Sequence, residues 1–591
     1  MKKRPSKFVT LLLCTVVLCC ILSACGSGGA DNDTSFTYVL STGEQTHFYA
    51  EYEDNPAVQY WLSKEWDADE DGKGKKVSID FITLPAGAES DNINTMLGTG
   101  EYPMILDVTY SSEKPVQLYE EGIALDITEY VEQYMPNYRA WMEAHPELGS
   151  RLTNMVNGER RYLGLYAVND APEQAWGGYC YRRDWIVKYG TNPETGAAFS
   201  GHWDGDNWID DVVFPSGNTD PIYISDWEWM LDIFAKAIEN LGITDGYALS
   251  IYYPGYLGTG DFMSGFGAPS SYYIDENGVC QGGFETENFR AYLECMNTWY
   301  ANGWIDPQFD ERASDMFYMV NTAATFAGKV GAWYGQLGTL GNAMDNSGGD
   351  TSNLTNGIVV AGAPQPINDI YGTDECKYQE PFAYYANSLI SNCVVFTNKC
   401  EGMDLPTLFT AIDYLYEEDG GAMLKAYGLS AEQVEEFDCQ WYRDRNLAEG
   451  TYTVGTDENG NTTYTVNPVL VNDQEGLESA AKLNRTIGLS QQKGRQYGYP
   501  ESKQHWINMW MYYDNTGSIG NEITSQFTTE QQEVVEATNN YVNTYMNRTI
   551  PRFVNGDLDP TNDKDWGDYC ATIVKYKPYE YCDFVNEILG N

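Results

Sequence analysis

In "IYYPGYLGTGDF", Tyr252, Tyr253 and Tyr256 lie in a proline–glycine loop that follows an apolar run. Glu44 and Gln45 follow the run "FTYVLS", and Asp107 ends "PMILDV". Loops on a rigid scaffold commonly carry binding residues, and these types can grip a hydroxyl-rich ligand. Tyrosine offers a flat apolar face with a polar handle, while a carboxylate accepts from hydroxyls and an amide both accepts and donates. With 16 Trp, 46 Tyr and 21 Phe, the chain is unusually rich in aromatic rings, most of which must still serve core or surface. Such surfaces suit sugars, whose C–H faces are flat and whose rims are hydroxyls.

Other chemistry is missing. The four histidines, His47, His145, His202 and His505, belong to no H-E-x-x-H run, and none adjoins a G-x-S-x-G elbow. No phosphate loop occurs, since "AGKVGAW" lacks the required spacing. With 86 acidic residues, a carboxylate pair of glycosidase type cannot be recognised, because it is defined by separation in space. "DADEDGKGKKVS" begins like a calcium loop at Asp67, Asp69, Asp71 and Gly72, but Ser78 stands where the bidentate glutamate belongs. It reads as a solvated loop. "HWDGDNWIDD" places Trp208 at a would-be ligand position, so no metal and no cofactor is expected.

The elements that must position these groups alternate. "FTYVLS", "KKVSIDFITL" and "PMILDV" read as strands, separated by helices in "AVQYWLSKEW" and "ESDNINTMLGTG". That order and spacing argue for parallel sheets covered by helices. "ISDWEWMLDIFAKAIENLG" is an amphipathic helix with Ser225 and Glu228 as a capping box and Gly242 as its stop. Its core face is Trp229, Met230, Ile233, Phe234, Ala237, Ile238 and Leu241. "FTTEQQEVVEATNNYVNTYM" repeats the pattern with a box at Thr528 and Gln531. The two "DENG" segments, at Asp275–Gly278 and Asp457–Gly460, read as hairpin turns.

The amino terminus combines Lys2, Lys3, Arg4 and Lys7 with an apolar stretch from Phe8 to Leu22, shorter than the ~20 residues that span a membrane. It reads as an export signal. The stretch ends Leu22-Ser23-Ala24-Cys25-Gly26, similar to a bacterial lipobox. This implies a diacylglyceryl group on the Cys25 sulfur and cleavage before it; two acyl chains or more give stable anchoring. A flexible tether of about ten small residues, spanning roughly 17 Å, then precedes the body. Cys14, Cys19 and Cys20 leave with the signal. Nine further cysteines cannot all pair within the chain and show no C-x-x-C spacing. The net charge of −51 repels nucleic acid and anionic lipid, so the membrane is met through the lipid alone.

Several segments together resemble the bacterial extracellular solute-binding proteins of family 1, in their long lipoprotein branch. They are "INTMLGTGEYPMILDV", "LYEEGIALDITEYVEQYMPNY", "GYCYRRDWIVKYG", "NTWYANGWIDPQF", "FAGKVGAWYGQLG" and "ANSLISNCVVFTNKCEGMDLPTLFTAIDYLYEEDGG". Met104 stands where the family usually has Asp. The resemblance implies an α/β, two-lobed, periplasmic-binding-protein-like fold of type II, with the ligand cleft between lobes joined by crossing segments. The expected division is a signal at 1–24, lipidated Cys25 and tether at 25–35, a first lobe from 36–175 with 385–430, and a second from 176–384 with 431–591. Within "GKVGAWYGQLG" the resemblance makes Trp333 a stacking platform and Tyr334 a second face, and it adds Trp176, just before the crossing strand. Arg182 and Asp184 in "YRRDW" read as braces of the crossover. The resemblance also implies a monomeric, non-catalytic subunit of an ABC importer, with permease partners and an oligosaccharide as solute. A surface-anchored glycoside hydrolase and a glycan-binding adhesion lipoprotein share the composition and remain alternatives at this point.

Overall fold

The computed structural model describes residues 32–590 apart from 41–51, 70, 86–87, 172–174, 176, 205–206, 252–261, 268–271, 313–319, 337–358, 382–388, 457–461, 471–486, 492–500, 514–516, 518 and 525. Two sheets organise it. The first contains β1 (Ser35–Leu40), β2 (Ser78–Thr83), β3 (Ile105–Asp107), β4 (Leu165–Asn169), β9 (Ile390–Phe396) and β10 (Leu489–Ser490). The second contains β5 (Gly177–Arg182), β6 (Tyr247–Leu249), β7 (Val330–Gln336) and β8 (Val360–Gly362).

The first sheet runs β10-β4-β9-β3-β1-β2. Strand β1 is parallel to β2 and β3, with Tyr38 opposite both Phe81 and Ile105. Strand β9 returns antiparallel between β3 and β4. The second runs β6-β7-β5-β8, and here β5 is the reversed strand, antiparallel to β7 and β8. One reversed strand inside each sheet marks where the chain enters from the other lobe. This is the order expected of the type II two-lobed fold.

Each sheet has its own core. Phe36, Tyr38, Trp61, Ile105, Tyr138, Val394 and Leu408 belong to one cluster; Tyr179, Trp227, Phe234, Trp299, Trp333 and Trp510 belong to the other. Burying each such side chain contributes about 1.5–3 kcal/mol. The chain passes between the lobes three times: from β4 to β5, from β8 to β9, and from β10 to the helix Glu501–Trp510. The sequence reading put everything after residue 430 in the second lobe. Instead Cys439, Tyr442, Leu447, Leu470, Ile487 and Leu489 pack in the first. The reason is strand pairing, since Leu489 lies beside Val168 at the edge of the first sheet.

Helices α1 (Pro56–Ser63), α2 (Glu89–Thr99), α3 (Ile224–Leu241), α4 (Glu287–Ala301) and α5 (Leu405–Asp413) cover the sheets or carry their connections. Those after the last crossing are α6 (Glu501–Trp510), α7 (Asn521–Thr524), α8 (Thr529–Val554), α9 (Asp563–Ile573) and α10 (Tyr579–Leu589). Helix α2 stops at Gly100 in the left-handed conformation, φ 73°, where a glycine costs least. Helix α3 starts two residues earlier than its expected box. Asp226 accepts from the amides of Ser216, Ile222 and Tyr223, while the Glu228 carboxylate takes the Trp299 indole and the Tyr371 hydroxyl.

At the end of α5 the buried Asp413 carboxylate accepts from the amides of Asn137 and Tyr138 and from the Asn137 side chain, at 2.9–3.1 Å. Burial nevertheless pushes this carboxyl up to about 6. A raised acid pKa means that the folded chain binds the proton more tightly. Its contribution is full below the unfolded value near 4 and is lost as pH rises through about 6. The stability of wild type relative to Asp413→Asn is therefore expected to fall between pH 4 and pH 7, read from urea midpoints. A pH-independent difference contradicts this.

Candidate ligand-binding cleft

In open α/β sheets the crevice beyond the carboxyl ends of the strands, at the switch in strand order, is the usual ligand position. In the first sheet that switch lies at β1 and β3, which exit on either side of the order β3-β1-β2. The exit of β3 is fully described. Asp107 is 1 % exposed, and its carboxylate accepts from the Thr109 amide at 2.9 Å, which turns the chain. The Thr109 hydroxyl accepts from the Cys393 amide at 3.1 Å, fastening this turn to β9. Asp107 thus sits beneath the loop and shapes it. The residue that the loop presents is Tyr110, 52 % exposed. Sequence reasoning missed it, although an aromatic three residues past a strand end in "DVTYSS" was the available signal.

Lys114 closes the same loop by donating from Nζ to the Ser111 carbonyl at 2.8 Å. Burial lowers its pKa, against the opposing charges of the Glu536 and Asp107 carboxylates. Glu536 lies on α8, in the part of the chain beyond the last crossing. Burial also pushes the neighbouring Cys393 thiol up to about 12, so at neutral pH it is a protonated, unreactive group.

On the second sheet, Ser250 leaves β6 buried, with its amide donating to the Ala332 carbonyl at 2.9 Å. On β7, Trp333 lies opposite Cys180 and Tyr334 opposite Tyr179. Both rings are core, at 2 % and 3 % exposure, so neither is an open stacking face as the sequence reading expected. Tyr334 meets Tyr179 edge-on, centroids 5.9 Å apart. The Trp333 indole N–H has no hydrogen-bond partner among the described residues. It points towards Gly335, where a Cβ would stand 3.4 Å from the nitrogen. A buried donor without an acceptor costs about 1–3 kcal/mol. It sits near the carboxyl end of β7, which finishes at Gln336.

Glu44, Gln45, Trp176, Tyr252, Tyr253 and Tyr256 lie outside the described residues. By chain order they follow β1, precede β5 and follow β6. The braces are in place. Arg182 donates to both Asp184 oxygens at 2.8 and 2.6 Å and to the Gly328 carbonyl at 3.0 Å. No group of three His, Cys, Asp or Glu among the described residues could hold a metal ion. In the loop at Asp67 the carboxylate oxygens accept from the amides of Asp71 and Gly72, and Lys73 pairs with Asp71. No helix among the described residues is long and apolar enough to cross a membrane.

No family model matches the sequence, and no curated protein matches it. Solved structures do. An extracellular solute-binding protein from Bifidobacterium longum subsp. infantis aligns at TM-score 0.60 and 12% identity, covering 95% of this chain and 99% of that one. The alginate-binding protein AlgQ2, solved without calcium ion, aligns at TM-score 0.58 and 15% identity over 95% and 99%. The S. pneumoniae ABC-transporter substrate-binding protein FusA, in complex with kestose, aligns at TM-score 0.57 and 14% identity over 94% and 99%. The two-lobed periplasmic-binding-protein-like fold therefore extends over nearly the whole chain.

Proposed function

We propose that the chain is the solute-binding subunit of an ABC importer, one that captures an oligosaccharide between its lobes and hands it to separate permease subunits. The observation that carries this reading is the end-to-end structural likeness to binding proteins described for alginate and for kestose. Both walls of the cleft come from one chain, so a monomer suffices. Closure of two strand-end surfaces on a sugar excludes water and strengthens each hydrogen bond. The ligand that stabilises the closed form then gives the permease a shape to read. The lipid on Cys25 holds the loaded protein beside its partner. The role requires no catalysis, and the sugar leaves unchanged.

The test is a melting-temperature screen against oligosaccharides, monosaccharides and peptides. A ligand at a hundred times its dissociation constant adds about 2.7 kcal/mol, a rise of a few degrees. A dose-dependent rise with one glycan class, recovered intact, is expected. Hydrolysed products would replace this reading with a glycoside hydrolase, and a rise with peptides alone would withdraw the sugar.

A further inference from the structure

Beyond the two main cores lies a third, small cluster of Cys280, Ile523, Phe527, Val535, Tyr581, Cys582 and Val585. It joins the hairpin Tyr272–Ile274/Cys280–Gly282 to helices α7, α8 and α10. Cys582 lies on α10 one turn before Asn586. Asn586 clamps the hairpin at Cys280, accepting from its amide at 2.7 Å and donating to its carbonyl at 3.3 Å. Residues four apart share a helix face, so Cys582 is directed at the same point of the hairpin. Both residues belong to the one buried cluster, and Cys582 stands near enough to hold the Cys280 thiol in its protonated form. Tyr272 and Tyr581 stack beside the pair, centroids 4.2 Å apart.

We propose that Cys280 and Cys582 are a disulfide-forming pair that staples the carboxyl-terminal helix to the second lobe. The oxidant is a protein or small-molecule disulfide. One cysteine thiolate attacks an oxidant sulfur and releases one thiol, and the second cysteine then attacks the mixed disulfide and releases the other. Two electrons and two protons pass to the oxidant, and one S–S bond forms in the chain. Both thiols are buried, so exchange takes place while α10 is undocked, during folding or local opening. The bond closes a loop of about 300 residues, a length at which a cross-link strongly restricts the unfolded chain. It also fixes the layer that reaches the first lobe, because α7 carries Glu522, paired with Arg151 at 3.6 Å.

The test exposes the chain to oxidised glutathione, both folded and during refolding. Free thiols are then blocked with N-ethylmaleimide in denaturant, and the digest is mapped. A peptide joining Cys280 to Cys582, released by dithiothreitol, is expected. Both cysteines carrying maleimide after both treatments would overturn the proposal. As a second readout, dithiothreitol should lower the melting temperature of the oxidised chain by a few degrees. It should leave Cys280→Ser and Cys582→Ser unmoved, and an equal drop in those variants would also overturn it.

Discussion

Replacing Arg183 with methionine is expected to destabilise the second lobe by about 3–5 kcal/mol. The guanidinium, 11 % exposed, donates through Nε and Nη2 to the two oxygens of Asp210 at 2.9 and 2.8 Å. Its Nη1 donates to the Tyr181 hydroxyl at 2.9 Å and to the Thr219 carbonyl at 2.5 Å. Asp210 is itself only 6 % exposed and also accepts from the Trp208 indole at 2.7 Å and the Val212 amide at 3.1 Å. Taking away the cation leaves a buried carboxylate with neutral donors only. Most of the cost is that stranded charge, so adding Asp210→Asn to Arg183→Met should recover part of it. Burial pushes the Asp210 carboxyl up, but Arg183 and the two N–H donors outweigh it and leave the pKa below the ordinary value. The stability from a depressed acid is present above its unfolded pKa and disappears as pH falls through the folded one. The difference between wild type and Arg183→Met should therefore be largest near pH 7 and shrink below about pH 4. Denaturation midpoints at pH 7 within 1 kcal/mol of each other would contradict the assignment.

Trp510→Ala should be comparably costly, about 3–5 kcal/mol. This ring ends α6, the first helix after the last crossing, and is 1 % exposed. It lies flat against β5 because position 178 is glycine: a Cβ there would stand 2.5 Å from the ring. Its indole donates to the Tyr179 carbonyl at 3.0 Å, and Gly362 of β8 leaves room beside the same nitrogen, with a Cβ position 3.3 Å from Nε1. Truncation leaves a cavity and removes one of two donors to the Tyr179 carbonyl, which keeps the Ala363 amide at 2.9 Å. Hydrogen exchange over Glu501–Trp510 should accelerate along with the loss of stability, and unchanged protection there would refute the docking role. Gly178→Val approaches the same seam from the other side and should cost about 1–3 kcal/mol by overpacking. Combining the two should cost less than their sum, because the valine occupies part of the vacated ring volume.

Much of the first lobe was legible from periodicity and punctuation. The strands at Ser35, Ser78 and Ile105, the helix stopping at Gly100 and both hairpins stand where alternation, glycine and Asn-Gly put them. The box at Thr528 and Gln531 closes as expected, with the Gln531 amide donating to the Thr528 hydroxyl. The box at Ser225 and Glu228 does not, because both side chains are claimed by distant partners, Asp369 and Trp299, which no local window contains. Lobe membership of residues 431–490 was illegible for the same reason. Helices and a hairpin of that kind suit either lobe, and long-range packing with the two-residue strand β10 decides. At the cleft, burial divides neighbours that sequence treats alike: Asp107 inward, Tyr110 outward, and both Trp333 and Tyr334 within the core.

Strand β9 lies between β3 and β4, yet about 220 residues separate it from β4 along the chain, a long loop to close. A chain emerging amino end first therefore presents β3 and β4 with open edges, the surfaces most prone to wrong pairing. The second lobe waits as well, since Trp506, Trp510 and the helices α8 and α9 complete its core only from the last hundred or so residues. Such non-local pairing makes folding slow, and here it postpones the first lobe until Leu489–Ser490 is made and the second to the end of synthesis. The molecule is thus kinetically a single unit despite its two cores. Loss of the carboxyl-terminal helices should leave the second lobe unfinished, and the chain is most vulnerable to proteases and aggregation in the interval before β9 finds its slot.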